Sequence, residues 1–73
     1  MPLPKRISEI AIKLLALYDL GVEVFGSAED FNIWSQKPSM GLDFNIPRDY
    51  FSTVSGIDSI TEELQRIAFG YPV

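Results

Sequence analysis

The chain has 73 residues, no cysteine and no histidine, and a formal net charge of -4. The missing residue types exclude disulfides, thiolate metal sites and the Ser-His and Cys-His nucleophile systems, while a pI of about 4.5 works against the phosphate attraction that nucleic-acid binding rests on. A single small domain is expected, since a fold of this size buries only about 60% of the surface of its unfolded chain and leans readily on a partner.

Residues 5–20 carry the first helical pattern. Ile7, Ile10, Ala11, Leu14, Leu15 and Tyr18 fall at i, i+3, i+4, i+7, i+8 and i+11 and draw one apolar stripe, with Gly21 as the stop signal. Ile12, Ala16 and Leu20 form a second stripe on the other side, among Ser8, Glu9, Lys13 and Asp19. A helix apolar on two faces needs two neighbours. The second stripe either touches the chain's own loops or forms a homodimer seam.

Val22 to Phe25 suits a helical turn or a strand equally, because β-branching alone does not decide between them. Ser27 then reads as an N-cap, with Asp30 three residues on and Glu29 well placed for the helix dipole. Ala28, Phe31 and Trp34 share one face of the helix that follows, which should end near Lys37 because Pro38 disfavours helical geometry before it. Residues 38–46 read as a loop with Leu42 and Phe44 tucked inward. Pro47 suits the first position of a short helix, "PRDYFS". From about Val54 a last helix places Ile57, Ile60, Leu64, Ile67 and Ala68 on one face, pairs Glu62 with Arg66 at i, i+4, and closes at Gly70 and Pro72. The expected fold is an all-α, single-domain bundle spanning residues 1–73, with about four helices: a long N-terminal one, two short central ones and a long C-terminal one.

Candidate chemistry is sparse. The acidic pairs Glu29-Asp30 and Glu62-Glu63 stand where early helical turns favour negative charge, so they read as structural and not as metal or acid/base pairs. No calcium-loop or phosphate-loop spacing is present. A non-enzymatic protein with no cofactor and no metal is expected. No apolar run approaches the roughly 20 residues of a spanning helix. Glu9, Lys13 and Asp19 also interrupt the stretch where a signal peptide would be continuous. A cytoplasmic location, with no membrane association, follows as the expectation.

Two resemblances remain. Asp58-Ser59-Ile60 is similar to the serine motif of acyl carrier proteins, in which the serine takes a phosphopantetheine arm at the start of a helix. In those carriers, however, the serine precedes an Ile-Pro segment, whereas Ser59 follows Ile46-Pro47. The broader resemblance covers residues 22–73. Phe25-Gly26-Ser27, Trp34, Pro38, Leu42, Pro47, Asp49, Thr53, Gly56, Leu64, Arg66-Ile67 and Gly70 resemble, in order, the toxin-binding domain of bacterial Xre/MbcA/ParS-type antitoxins.

Three positions depart from that pattern. Ser35 replaces a leucine, Tyr50-Phe51 replaces Leu-Leu, and Asp43-Phe44 replaces Gly-Gly, so a different backbone shape is expected around Asp43.

The resemblance implies a protein that binds and neutralises a RES-domain toxin, an NAD-consuming enzyme, by occluding its active site. Arg66, Gly70, Tyr71, Pro72 and Val73 are the contacts it carries over, with Trp34 anchoring the core. Tyr and Arg are favoured interface anchors and a proline-stiffened tail loses less entropy on docking, although terminal residues are commonly frayed. An interaction domain of this fold without a toxin is the other outcome. Only about 20 residues precede the resembling region, too few for a DNA-reading domain, so direct DNA binding is not expected.

Overall fold

Gly21 does not end the first helix. In the computed structural model, which describes residues 5–70 with side chains from residue 9 onward, α1 (Lys5–Phe25) continues for another turn. Gly26, at φ 89°, supplies the stop instead, its N–H bonded to the Val22 carbonyl at 2.7 Å. Gly21 serves packing: a Cβ there would come within 2.5, 2.6 and 2.7 Å of three atoms of the Phe31 ring. The bare backbone is what lets that ring lie against the helix.

Two further α-helices follow, α2 (Ala28–Ser35) and α3 (Val54–Phe69). Two 3-10 turns, Met40–Leu42 and Pro47–Tyr50, lie between them. The all-α expectation holds, but the helix count changes. The second short helix is only a 3-10 turn, and the stretch read as a loop contains another. The start of α2 is capped as the sequence indicates, Ser27 Oγ accepting from the Asp30 N–H at 3.1 Å, and α3 is capped by Thr53, whose Oγ1 accepts from the Gly56 N–H at 3.0 Å. Gly56 has no room for a side chain, because a Cβ would run into the Tyr50 carbonyl. Pro47 opens its turn as expected and is buried.

The core consists of Leu17 from α1, Phe31 from α2, Leu42 from the first turn, and Ile57, Ile60 and Leu64 from α3. Phe31, fully buried, is its centre. Tyr18 meets it edge-on at 5.2 Å, and Phe25, Trp34 and Phe51 stack on it at 6.2, 6.0 and 6.3 Å, all inside the range of about 4.5–7 Å for favourable aromatic pairs. Trp34 is only half-buried and supports the centre from the side. Ala28, expected on the inner face of α2, is exposed, and Ser35 is buried in its stead.

The stripes of α1 also rearrange. Its inner line is Ile10, Leu14, Leu17, Gly21 and Val24, flanked by Leu20 and Phe25. Leu17, outside both predicted stripes, lies at its middle with 1% of its surface exposed. Helix α1 packs on both α2 and α3, and satisfying both neighbours turns the helix so that Ala11 and Leu15 leave the core and Leu20 joins it. Of the second stripe, Ile12 and Ala16 are exposed, whereas Leu20 packs on the core.

The loop of residues 38–46 folds tightly on itself. Ser39 N–H donates to the Asn45 carbonyl at 3.0 Å, Phe44 N–H to the Ser39 carbonyl at 2.8 Å, and Asn45 N–H to the Leu42 carbonyl at 3.0 Å. Leu42 turns inward as expected, but Phe44 is 68% exposed. The cause is the backbone: Asp43 and Phe44 adopt φ 55° and 65°, the left-handed angles they were expected to resist, and these swing the Phe44 ring to solvent. Aspartate tolerates that region, but for phenylalanine it costs roughly 1–2 kcal/mol. The three loop hydrogen bonds hold the conformation in place.

Candidate functional site

The C-terminal half of α3 and the Met40–Leu42 turn enclose an open, largely apolar groove of about 580 Å³ lined by Ser39, Met40, Gly41, Glu63 and Ile67. Its base holds a charge. Glu63 is 1% exposed, and its carboxylate lies so close to the Gly41 backbone that a Cβ at position 41 would overlap it. Arg66, one turn along α3, donates from Nε at 3.1 Å and from Nη2 at 2.9 Å to Glu63 Oε1. A buried carboxylate is tolerated only when paired and hydrogen-bonded; here the guanidinium does both while remaining 42% exposed. Arg66 therefore links the buried charge to the surface.

A separate shallow depression on another face of the same half of α3 is lined by Glu62, Gln65, Arg66, Phe69 and Gly70. Phe69 and Met40 are 87% and 78% exposed, a large apolar area to leave in water. Gly70 ends α3 at φ 76°, its N–H bonded to the Ile67 carbonyl at 3.4 Å. Methionine, phenylalanine and arginine, residue types enriched at protein interfaces, thus stand exposed or half-exposed at these two depressions.

Of the carried-over contacts, the fold brings Arg66 and Gly70 together at the second depression; Tyr71, Pro72 and Val73 lie outside the described residues. Leu64 is core, Ile67 lines the groove, and Pro38 is exposed at its approach. Arg66 pairs with Glu63 at i, i+3 in place of the Glu62 partner that the i, i+4 spacing suggested. Sequence reasoning missed Met40, Gly41, Glu63 and Phe69. The i, i+3 spacing of Glu63 and Arg66 was the available signal, but burial distinguishes the two adjacent glutamates and spacing does not.

A second polar cluster explains Ser35. Its Oγ donates to the Asn32 carbonyl at 2.7 Å, and Arg48 Nη2 reaches Asn32 Oδ1 at 2.7 Å and Ser35 Oγ at 3.3 Å. A hydroxyl at a fully buried position is thus satisfied on both sides. Ser59 stands in the second turn of α3, half-buried, with its Oγ donating to the Ser55 carbonyl at 3.1 Å, away from the helix start where a carrier serine sits.

Among the described residues no helix is long and apolar enough to cross a membrane, and no three His, Cys, Asp or Glu side chains are grouped to hold a metal ion. A family model for the C-terminal toxin-binding domain of Xre/MbcA/ParS antitoxins matches residues 20–70, more than two-thirds of the chain. The chain belongs to this antitoxin family. The antitoxin match takes in all of α2 and α3, both turns, and every residue of the groove, and it ends at Gly70. It leaves residues 5–19 of α1 outside the matched domain. No curated protein and no solved structure matches the chain.

Proposed function

We propose that this antitoxin domain neutralises a RES-domain, NAD-consuming toxin by packing the Met40, Ile67, Arg66 and Phe69 surface against it. The segment that follows Gly70 then lies over the entrance to the NAD pocket. The observation that carries this reading is position: the groove and the depression beside Arg66 both fall wholly inside the toxin-binding match, and the depression reaches Gly70, where that match stops. Arg66 supplies a fixed cation, because its contact with Glu63 holds the guanidinium in place before any partner arrives. Phe69 and Met40 supply apolar area whose burial is worth roughly 25 cal/mol per Å². The protein acts without a cofactor, in the bacterial cytoplasm, by occlusion and not by chemistry of its own. The same reading has it work as a homodimer joined along α1.

The test is recovery of the tagged protein from its native cytosol, followed by an NAD-consumption assay on the proteins that co-purify. A RES-type enzyme active only after this chain is stripped away is the expected result. Capture of a toxin with another activity would overturn the NAD assignment. Deleting residues Tyr71 to Val73 should weaken inhibition more than binding; equal inhibition by the shortened chain would remove the tail from the mechanism.

A further inference from the structure

The outer face of α1 is apolar, and none of the other described elements packs on it. Ile12 and Leu15 are 66% and 69% exposed, Val22 is 37% exposed, and Ala11 and Ala16 stand beside them. On the 3.6-residue repeat these positions draw one stripe along the helix, interrupted by Asp19 and bordered by Glu23. The stripe is as wide as the face that a helix presents to a packed neighbour.

The charges of α1 indicate what the seam receives. Each of the other two α-helices follows the usual rule at one end, with Glu29 and Asp30 in the first turn of α2 and Arg66 in the last turn of α3. Helix α1 is reversed at its two ends: it opens on Lys5-Arg6, carries Glu9 and Lys13 between, has Asp19 and Glu23 in its second half, and has no acidic residue in its first turn and no basic residue in its last. Such a distribution opposes the helix's own dipole. It complements the dipole and the charges of an identical helix running the other way.

We propose that α1 pairs antiparallel with α1 of a second copy, about a two-fold axis between residues 12 and 15, so that Ile12 of each copy packs on Leu15 of the other. The proposal rests on the homodimer in the reading above and is independent of the toxin. In this register Glu23 of each helix comes level with the Lys5 end of its partner, and Asp19 lies opposite Ser8. Parallel pairing would place Asp19 against Asp19 and Glu23 against Glu23. A two-fold contact of this kind is isologous, the commonest closed arrangement for a homo-oligomer. A seam confined to one helix falls toward the small end of specific interfaces, below about 1,200 Å², so the dimer is a reversible one.

Sedimentation equilibrium of the purified chain, from about 1 µM to about 1 mM, covers the range of weak association. The expected result is a concentration-dependent rise from 8.2 kDa to twice that mass. Leu15→Glu, at an exposed site that the core does not use, should keep the helical circular dichroism and lose the rise. The chain has no cysteine, so a spin label on Glu23→Cys reads orientation directly. Antiparallel helices place the two labels about 30 Å apart at 1.5 Å per residue, whereas parallel helices place them at about the 8–10 Å interaxial distance. A monomer at every concentration, or a dimer unaffected by Leu15→Glu, overturns the seam. A label separation near 10 Å overturns the antiparallel pairing. None of these results bears on toxin binding, which the pull-down reads separately.

Discussion

Gly21→Ala sets two established effects against each other. In an exposed helix interior alanine is favoured over glycine by about 1 kcal/mol, so from the sequence alone the substitution should stabilise α1. In the folded domain the new methyl group would lie 2.5–2.7 Å from three atoms of the Phe31 ring. That ring has no easy retreat: it is fully buried and bounded by Tyr18, Phe25, Trp34 and Phe51. Overpacking a tight core costs about 1–3 kcal/mol, and three overlapping ring atoms place this case near about 3 kcal/mol. Subtracting the propensity gain leaves about 2 kcal/mol of destabilisation, or about 8–16 °C in Tm for a domain of this size. The assay is thermal and urea unfolding followed by fluorescence of Trp34, which stacks on Phe31 at 6.0 Å and is the only tryptophan. Phe31→Leu in the Gly21→Ala background should show coupling of opposite sign to simple addition, because the shorter side chain makes room for the methyl group. A higher Tm for Gly21→Ala would refute the argument that Gly21 exists for the Phe31 contact.

The other predictions concern the surface and the loop. Phe69→Ala, at a side chain 87% exposed, should change stability by less than about 0.5 kcal/mol while lowering toxin affinity at least about tenfold, or about 1.4 kcal/mol, as read by calorimetric titration. Phe44→Gly relieves a left-handed phenylalanine worth roughly 1–2 kcal/mol, offset by about 0.5–1 kcal/mol of added chain entropy; unfolding by heat should show an unchanged or higher Tm. Arg66→Met removes a charge-assisted contact to a buried carboxylate and should cost about 1.5–3 kcal/mol by urea denaturation, in addition to weakening toxin binding. Ser35→Leu fills a fully buried site and strips Arg48 of one partner, with an expected loss of about 1–3 kcal/mol in the same assay.

Much of this was legible in the chain because it depends on local signals. Ser27 announces its helix through a side chain that bonds a backbone N–H three residues on, and that geometry belongs to the local segment. The order of the aromatic, proline and glycine landmarks pointed to the antitoxin domain, and the family match bears this out. The parts that misread depend on neighbours distant in sequence. Gly21 looks like a stop until Phe31 is placed against it. Leu15 and Leu17 are the same residue type two positions apart, yet one is 69% and the other 1% exposed, because α2 and α3 together set the direction of the core. Glu62 and Glu63 are likewise indistinguishable until Gly41 admits one carboxylate and not the other.

The central Phe31 ring has a consequence for how the domain comes apart. Side chains from α1, from α2 itself and from the segment leading into α3 all meet on one residue, so α2 has no private core that would let it detach while the rest stays folded. Opening is accordingly expected to be global, with hydrogen-exchange protection nearly level across α1, α2 and α3 and not graded from one helix to the next. The fraction of molecules vulnerable to a protease then equals the globally unfolded fraction. For a domain of 73 residues that fraction is set by a stability of about 4–11 kcal/mol, and any partner that binds only the folded form lowers it by mass action. Toxin and second copy would therefore protect all three helices, including α2, which neither of them touches.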